Sequence, residues 1–236
     1  MVLAGATLAG CGGSKHQAAT TVAGNPLVTA ANATEAQQSE DVGLDGQVAL
    51  SGQQITVKGS GAFGDHGSDG KMNLRVGLGA LGSTDLEAVF QGNTAFVSAP
   101  LLSPSLPHGK HWLRIELGKP ARVFGLDLGA LTGQTPTAAL AQLRHASDVT
   151  AVGSDSVGGV DTTHYRGQNA GRTLDVWVDG KNLVRKLTID YAAHLEPTSK
   201  QGAHTVMTMT LSNFGTSVSA TPPPAADVAD VSEVKG

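Results

Sequence analysis

Charge is scarce in this sequence. Asp, Glu, Lys and Arg make up 15% of its 236 residues, against about 25% in an average soluble domain. What charge there is nearly cancels: 16 Lys plus Arg against 20 Asp plus Glu leaves a formal net charge of −4. Proteins that grip a phosphate backbone cluster an excess of Lys and Arg, so a nucleic-acid partner is not expected. Cysteine occurs once, which excludes an internal disulfide and any site built from several thiolates. No apolar run approaches the roughly 20 residues of a membrane-spanning helix. Aromatics are few, at 4%, yet the hydrophobic fraction is 40%, too apolar for a wholly disordered chain. The length suits one domain of roughly 150–200 residues with tails.

What is present begins with the position of that one cysteine. Met1 to Gly10 carries no charge, and Leu8-Ala9-Gly10-Cys11 places an aliphatic residue and two small ones directly before the thiol. A short apolar run ending in small residues is the tail of a secretory signal peptide, and this ending matches a bacterial lipobox closely. No Lys or Arg precedes the run, so the start of the leader is expected to lie upstream. Cys11 is followed by Gly12-Gly13-Ser14-Lys15, an exposed linker by composition. The competing reading, a buried free thiol, fits that linker less well. Residues 1–10 therefore read as a signal-peptide remnant and 11–25 as a tether lipidated at Cys11.

Past Asn25-Pro26 the chain reads as helix from Leu27 to Ser39. From Asp41 the apolar period becomes two. Strands are expected along Val42–Leu50, Gln53–Phe63, Lys71–Leu78, Asp85–Gln91, Thr94–Ala99 and His111–Leu117, an antiparallel meander. Pro120 to Leu131 is ambiguous, with one short helix the reading offered. Thr135-Pro136 opens a better helix, with Thr135 as N-cap and Ala139, Leu140, Leu143 and Ala146 as its apolar stripe. Further strands follow along Val149–Val157, Thr162–Arg166, Thr173–Val178, Leu183–Tyr191 and Thr205–Leu211. Pro222-Pro223-Pro224 ends regular structure, leaving 220–236 as a polar tail. Strands in this number, with helices only at the front and middle, give an α+β class. The architecture expected is a strongly curved antiparallel sheet, a half-barrel of about ten or eleven strands, wrapped around two or three helices.

Motifs that could carry chemistry are weak. Gly77-Leu78-Gly79-Ala80-Leu81-Gly82 fits G-x-G-x-x-G, but the strand-like Thr84–Phe90 follows where a nucleotide site needs a helix. The eight His are scattered and read as solvated loop residues, without carboxylates at zinc spacing. There is no Gly-x-Ser-x-Gly elbow. Arg144, Lys181, Arg185 and Lys186 read as ordinary surface charge rather than a headgroup patch. Met207 and Met209 suit either core packing or a surface that meets variable apolar ligands. No catalytic set, metal site or cofactor is nominated, and the chain is expected not to be an enzyme.

The ordered set of segments resembles a known family. Lipobox, tether and helix precede a meander ending in His111-Trp112-Leu113-Arg114-Ile115-Glu116-Leu117. Then come Thr135–Ser147, Asp148-Val149-Thr150-Ala151-Val152-Gly153 and Gly159-Val160-Asp161-Thr162-Thr163-His164-Tyr165. Leu174–Asp179, Leu183–Lys186, Asn213-Phe214-Gly215 and the Pro222–Pro224 exit complete it. This is similar to the actinobacterial LppX/LprG-type lipoproteins, whose LolA-like fold the resemblance implies for residues 26–219. It also implies an apolar cavity for the acyl chains of a lipid or glycolipid, for carriage or sensing in the cell envelope. The protein would be exported, held to the outer face of the cytoplasmic membrane by its N-terminal anchor, and monomeric, with an envelope transporter as the protein partner to expect. The lining expected is Leu113, Ile115, Leu117, Leu140, Leu143, Leu174, Val176, Val178, Leu187, Ile189, Met207, Met209 and Leu211. The family's helical segment between Tyr165 and Leu174 is here reduced to residues 166–173. The other functional class that fits is an envelope sensor or interaction lipoprotein of the same fold with a filled core.

Overall fold

The computed structural model describes residues 20–21, 24–50, 53–119, 122–123, 126–127, 135–194 and 202–234. Helix α1 (Pro26–Glu35) starts where the sequence signals it: Pro26 opens the first turn and the Asn25 side chain accepts the Leu27 N–H at 3.0 Å. It stops four residues short of the expected Ser39 because tertiary bonds take over the backbone. Gln38 O accepts the His66 N–H, and Ser39 O accepts the Gly215 N–H at 2.9 Å. Helix α2 (Pro136–Leu143) is capped by the Thr135 hydroxyl, which accepts the Ala138 N–H. Its apolar stripe, Ala139, Leu140 and Leu143, is buried.

The strands of the main sheet are β1 (Thr20–Thr21), β2 (Glu40–Leu50), β3 (Gln53–Gly64), β4 (Asp69–Gly77), β5 (Ser83–Gln91), β6 (Thr94–Ser98) and β7 (Trp112–Glu116). They are completed by β10 (Ser147–Val157), β11 (Val160–Asn169), β12 (Arg172–Asp179), β13 (Val184–His194), β14 (Gly202–Ser212) and β15 (Val228–Asp230). The order is β1-β10-β11-β12-β13-β14-β2-β3-β4-β5-β6-β7-β15, thirteen strands in one sheet. The join between β14 and β2 closes two meanders into a single surface. Inward side chains from both ends of this order, Ala229 on β15 and Tyr165 on β11, belong to one apolar cluster with both helices. A flat sheet of this width could not bring them together, so the sheet is curled around the helices.

Three differences from the sequence reading have physical causes. Where the sequence reads as a short helix, Arg122–Val123 (β8) and Leu126–Asp127 (β9) pair as a small antiparallel ladder, the extended backbone that β-branched Val123 favours. The expected polar tail supplies β15, which pairs in parallel with β7. Ala229 is fully buried there, and Asp230 binds Arg114 at 2.6 Å. The expected tether supplies β1, paired to Thr150 and Ala151 of β10. Residues 166–173 form the tight β11–β12 hairpin, turning at Ala170 and Gly171 with φ of 49° and 76°.

Residues facing the concave side line up across the strands in tiers. The first tier holds Glu40, Phe63, Gly70, Phe90, Ala95 and Ile115. The second runs through Leu211, Val42, Gly61, Met72, Ala88, Val97 and Leu113 to Ala229. The third is Val176, Leu187, Met209, Leu44, Gly59, Leu74 and Leu86, and the fourth Leu174, Ile189, Met207, Gly46, Val57, Val76 and Thr84. The fifth includes Thr205, Val48 and Ile55. One glycine falls in each of the first four tiers, stepping diagonally from β4 to β2. Glycine in a strand marks close approach or a bend. At Gly59 a Cβ would lie 2.5 Å from Leu74 Cδ2, and at Gly46 it would lie 2.7 Å from both Sδ and Cε of Met207. The missing side chains let large neighbours fold down onto the backbone on the inner side of the curl.

Candidate functional site

Burial along the concave face is graded. The first two tiers and most of the third are sealed: Phe63, Met72, Leu113 and Val42 are all at most 2% exposed. In the fourth and fifth tiers Val48, Ile55, Val57, Val76 and Met207 are only half-buried, as is Leu86 of the third. The β12–β13 side of the fourth tier is covered, with Leu174 at 0% and Ile189 at 8% exposure. The open part of the face is therefore an apolar patch on β14, β2, β3, β4 and β5 at the end away from the first tier.

The helices explain the gradient. Thr34 on α1 donates to Ala30 O at 2.7 Å and accepts the Val184 N–H at 2.8 Å, which pins α1 to the start of β13. Arg144, at the end of α2, bonds Asn32 and pairs with Glu35, tying the two helices together. Asn169 donates to Gln142 O at 3.0 Å and fixes α2 to the β11–β12 hairpin. At its other end Thr137 donates to His66 O at 3.0 Å. That bond holds the turn Asp65-His66-Gly67, whose three residues have φ of 46°, 57° and 82°. Non-Gly residues in this left-handed region cost free energy, which the bonds from α2, Gln38 and Glu35 to His66 offset.

Beneath this turn lies Glu40, 3% exposed and facing inward, with Oε1 against Gly67. Burial pushes its carboxyl up to about 7, and nearby His66 opposes the shift. On the convex face Trp177 is stacked face to face on His164 at 4.2 Å, with the Lys186 ammonium 4.1 Å from its ring centroid. The Trp177 indole N–H donates to Asp155 at 2.8 Å, and the Ser156 N–H, then this indole bond, lower the Asp155 pKa. His164 is thus a strand residue paired with Asp175 at 2.6 Å, not the solvated loop residue expected. Arg185 pairs with Asp179 at 2.7 Å and lies over Phe214, so with Lys186 on Trp177 and Arg144 on Glu35 three of the four basic residues are individually occupied.

The expected lining residues fall into two groups. Leu113, Ile115, Leu140, Leu143, Leu174, Val176, Val178, Leu187, Ile189, Met209 and Leu211 are buried in the helix-covered cluster, where they make the core. Leu117 and Met207 are partly buried against it, and of the two Met207 stands at the edge of the open patch. Cys11 lies outside the described residues. Sequence reasoning did not single out Val48, Ile55, Val57, Val76 and Leu86 as lining; period-two alternation places them inward without saying which inward residues the helices reach. A cleft of about 500 Å³, lined in part by Leu74, Leu86 and Ala99, opens where β6 ends beside Arg75 and Asp85 and so reaches the edge of the open patch. A more polar one of about 430 Å³ adjoins Asp65, His66 and Thr216. Gly77–Gly82 leads through a 3-10 turn into β5, which leaves no helix N-terminus for a phosphate. Among the described residues no group of three or more His, Cys, Asp or Glu is placed to hold a metal, and no helix is long and apolar enough to cross a membrane.

Comparison with known proteins adds a second line of observation. Residues 124–223 match a family described as "Predicted periplasmic protein (DUF2092)". The chain is 28% identical over 200 residues to "Putative lipoprotein SCO4650" of Streptomyces coelicolor, spanning 78% of this chain and 67% of that protein. Among solved structures it is similar to LprF from Mycobacterium bovis, with a TM-score of 0.48 and 14% identity, over 84% of this chain and 95% of that one. It is also similar to the Mycobacterium tuberculosis lipoprotein LppX, with a TM-score of 0.48 and 14% identity, over 83% and 98% of the two chains.

Proposed function

We propose that this protein is an exported, lipid-anchored envelope lipoprotein that holds an acyl chain of a lipid or glycolipid against the open end of its concave face. The observation that carries the reading is the graded burial: one continuous apolar face, sealed under two helices at one end and half-buried at the other. Transfer of about ten methylenes from water to such a face would contribute roughly 8 kcal/mol gross, so no polar recognition or catalytic group is needed. Export and anchoring draw support from the lipobox at Cys11, the periplasmic family description and the lipoprotein relative. Carriage or sensing of the bound lipid, handed to an envelope transporter, is the activity that follows from such binding.

Native mass spectrometry of the gently purified full chain, as isolated and after incubation with phosphatidylglycerol vesicles, tests the binding. Retained lipid that is lost in Val76→Asp, with the melting transition kept, is the expected result. Lipid-free protein in both preparations would refute it and favour the second reading, an interaction lipoprotein with a filled core. That second reading has its own support in the eleven expected lining residues that are buried as core.

A further inference from the structure

We propose that Met207 is the residue that sets how far an acyl chain can run across the concave face, an inference that rests on the acyl-binding reading above. Met207 stands in the fourth tier at the boundary between its two halves. On one side its register partner is Ile189, followed by Leu174, both sealed beneath the helices. On the other side come Gly46, Val57 and Val76, the last two half-buried. The Met207 side chain does not stand up from the sheet. It folds across β2, so that Sδ and Cε lie within 2.7 Å of where residue 46 would carry a Cβ, too close for one to fit. Glycine at 46 is what makes that resting place.

A thioether side chain is unbranched and has three rotatable bonds. It can lie over Gly46 or swing off it without moving the backbone, which the β-branched Val57 and Val76 beside it cannot do. A chain lying over Val57 and Val76 therefore meets Met207 as the first movable wall on its way toward Ile189. With Met207 down, the path ends at β2. With its outer atoms removed, the path extends toward the covered half of the tier.

The test uses the full chain and a mixture of saturated lysophosphatidylglycerols of increasing chain length, read by native mass spectrometry. Met207→Ala is expected to move the preferred length upward by about three carbons, the count of Cγ, Sδ and Cε removed. Gly46→Ala places a methyl 2.7 Å from Sδ and Cε and drives Met207 up into the path. The affinity for every length should then fall roughly tenfold, the low end of what a displaced side chain costs in a packed site. In the double variant that clash is gone, and the length profile should return to that of Met207→Ala. Should Gly46→Ala fail to fold by circular dichroism, Met207→Ala and the double variant still decide the matter. An unchanged length profile in Met207→Ala overturns this role for Met207 while leaving lipid binding intact. Failure of the wild-type chain to retain any of the probes overturns both.

Discussion

The two ends of the concave face are made of the same residue types and behave differently. In the first three tiers every Leu, Ile, Val, Met and Phe side chain except Leu86 is sealed; in the fourth and fifth, Val48, Ile55, Val57, Val76 and Met207 are only partly buried, although Leu174 and Ile189 are covered. Composition does not separate them, and neither does strand pairing, which continues through both. The difference lies in what sits opposite. α1 and α2 are fastened to the β3–β4 turn, the start of β13 and the β11–β12 hairpin, so they cover the first tiers and the β12–β13 side. Among the described residues two helices lie inside the curl, and their bonds do not reach the β14–β5 side of the fourth and fifth tiers.

The comparison is broken most directly by stability. Leu174→Ala, on the covered side of the fourth tier, is expected to cost about 3–5 kcal/mol, because the transfer term and a residual cavity add when the surroundings cannot collapse. Val76→Ala, in the same tier but half-buried, should cost about 1 kcal/mol, since little contact is lost and water can fill the space. Urea titration of the two variants measures both. Equal losses would mean that the lower end is as tightly packed as the upper, and that it offers no binding surface.

Much of this arrangement was legible in the sequence. The strands appear because alternation at period two is a local signal: Met72, Leu74 and Val76 announce an inward face without reference to anything distant. The N-cap of α1 at Asn25 and that of α2 at Thr135 are equally local. What could not be read is coverage. Leu174 and Val76 occupy equivalent alternating positions, and only the placement of α1 and α2, far away in the chain, makes one core and the other surface. The same cause hid β1 and β15. Two or three residues have no periodicity of their own, and Val228-Ala229-Asp230 becomes a strand because β7 presents a free edge and Arg114 takes up Asp230. The end of α1 was misplaced for a related reason, since Gln38 and Ser39 bond to residues 66 and 215 rather than continue the helix.

The sealed end also carries a charge problem that the open end lacks, and pH exposes it. Glu40 has its pKa raised by burial from 4.5 to about 7. Between these two values the folded protein holds a proton that the unfolded chain has released, so stability falls as pH rises through this window. Above about pH 7 the full penalty, about 3 kcal/mol, is present. Glu40→Gln removes the ionisation while keeping the shape. The variant should be more stable than wild type above pH 7 by about that amount, and the difference should vanish near pH 4. Thermal melts across this range check it. A wild-type stability that stays flat from pH 4.5 to 7.5 would mean that Glu40 is solvated, and that the sealed end is less sealed than its neighbours indicate.

A smaller effect sharpens where the boundary between the ends is drawn. Thr34 is fully buried in α1, and its hydroxyl is the acceptor for the Val184 N–H at the start of β13. Thr34→Val keeps the volume and removes the acceptor, leaving a buried N–H unpaired at a cost of about 1–2 kcal/mol. The loss is local in kind, because α1 is held elsewhere by Asn25 on Ala146 and by Arg144 on Asn32. Hydrogen exchange should therefore speed at Val184 and the neighbouring amides of β13, and remain unchanged at Val57 and Val76. If the amides of β3 and β4 accelerate as well, α1 reaches over the lower tiers more than its bonds indicate. The open patch would then be opened by helix movement rather than left uncovered by the fold.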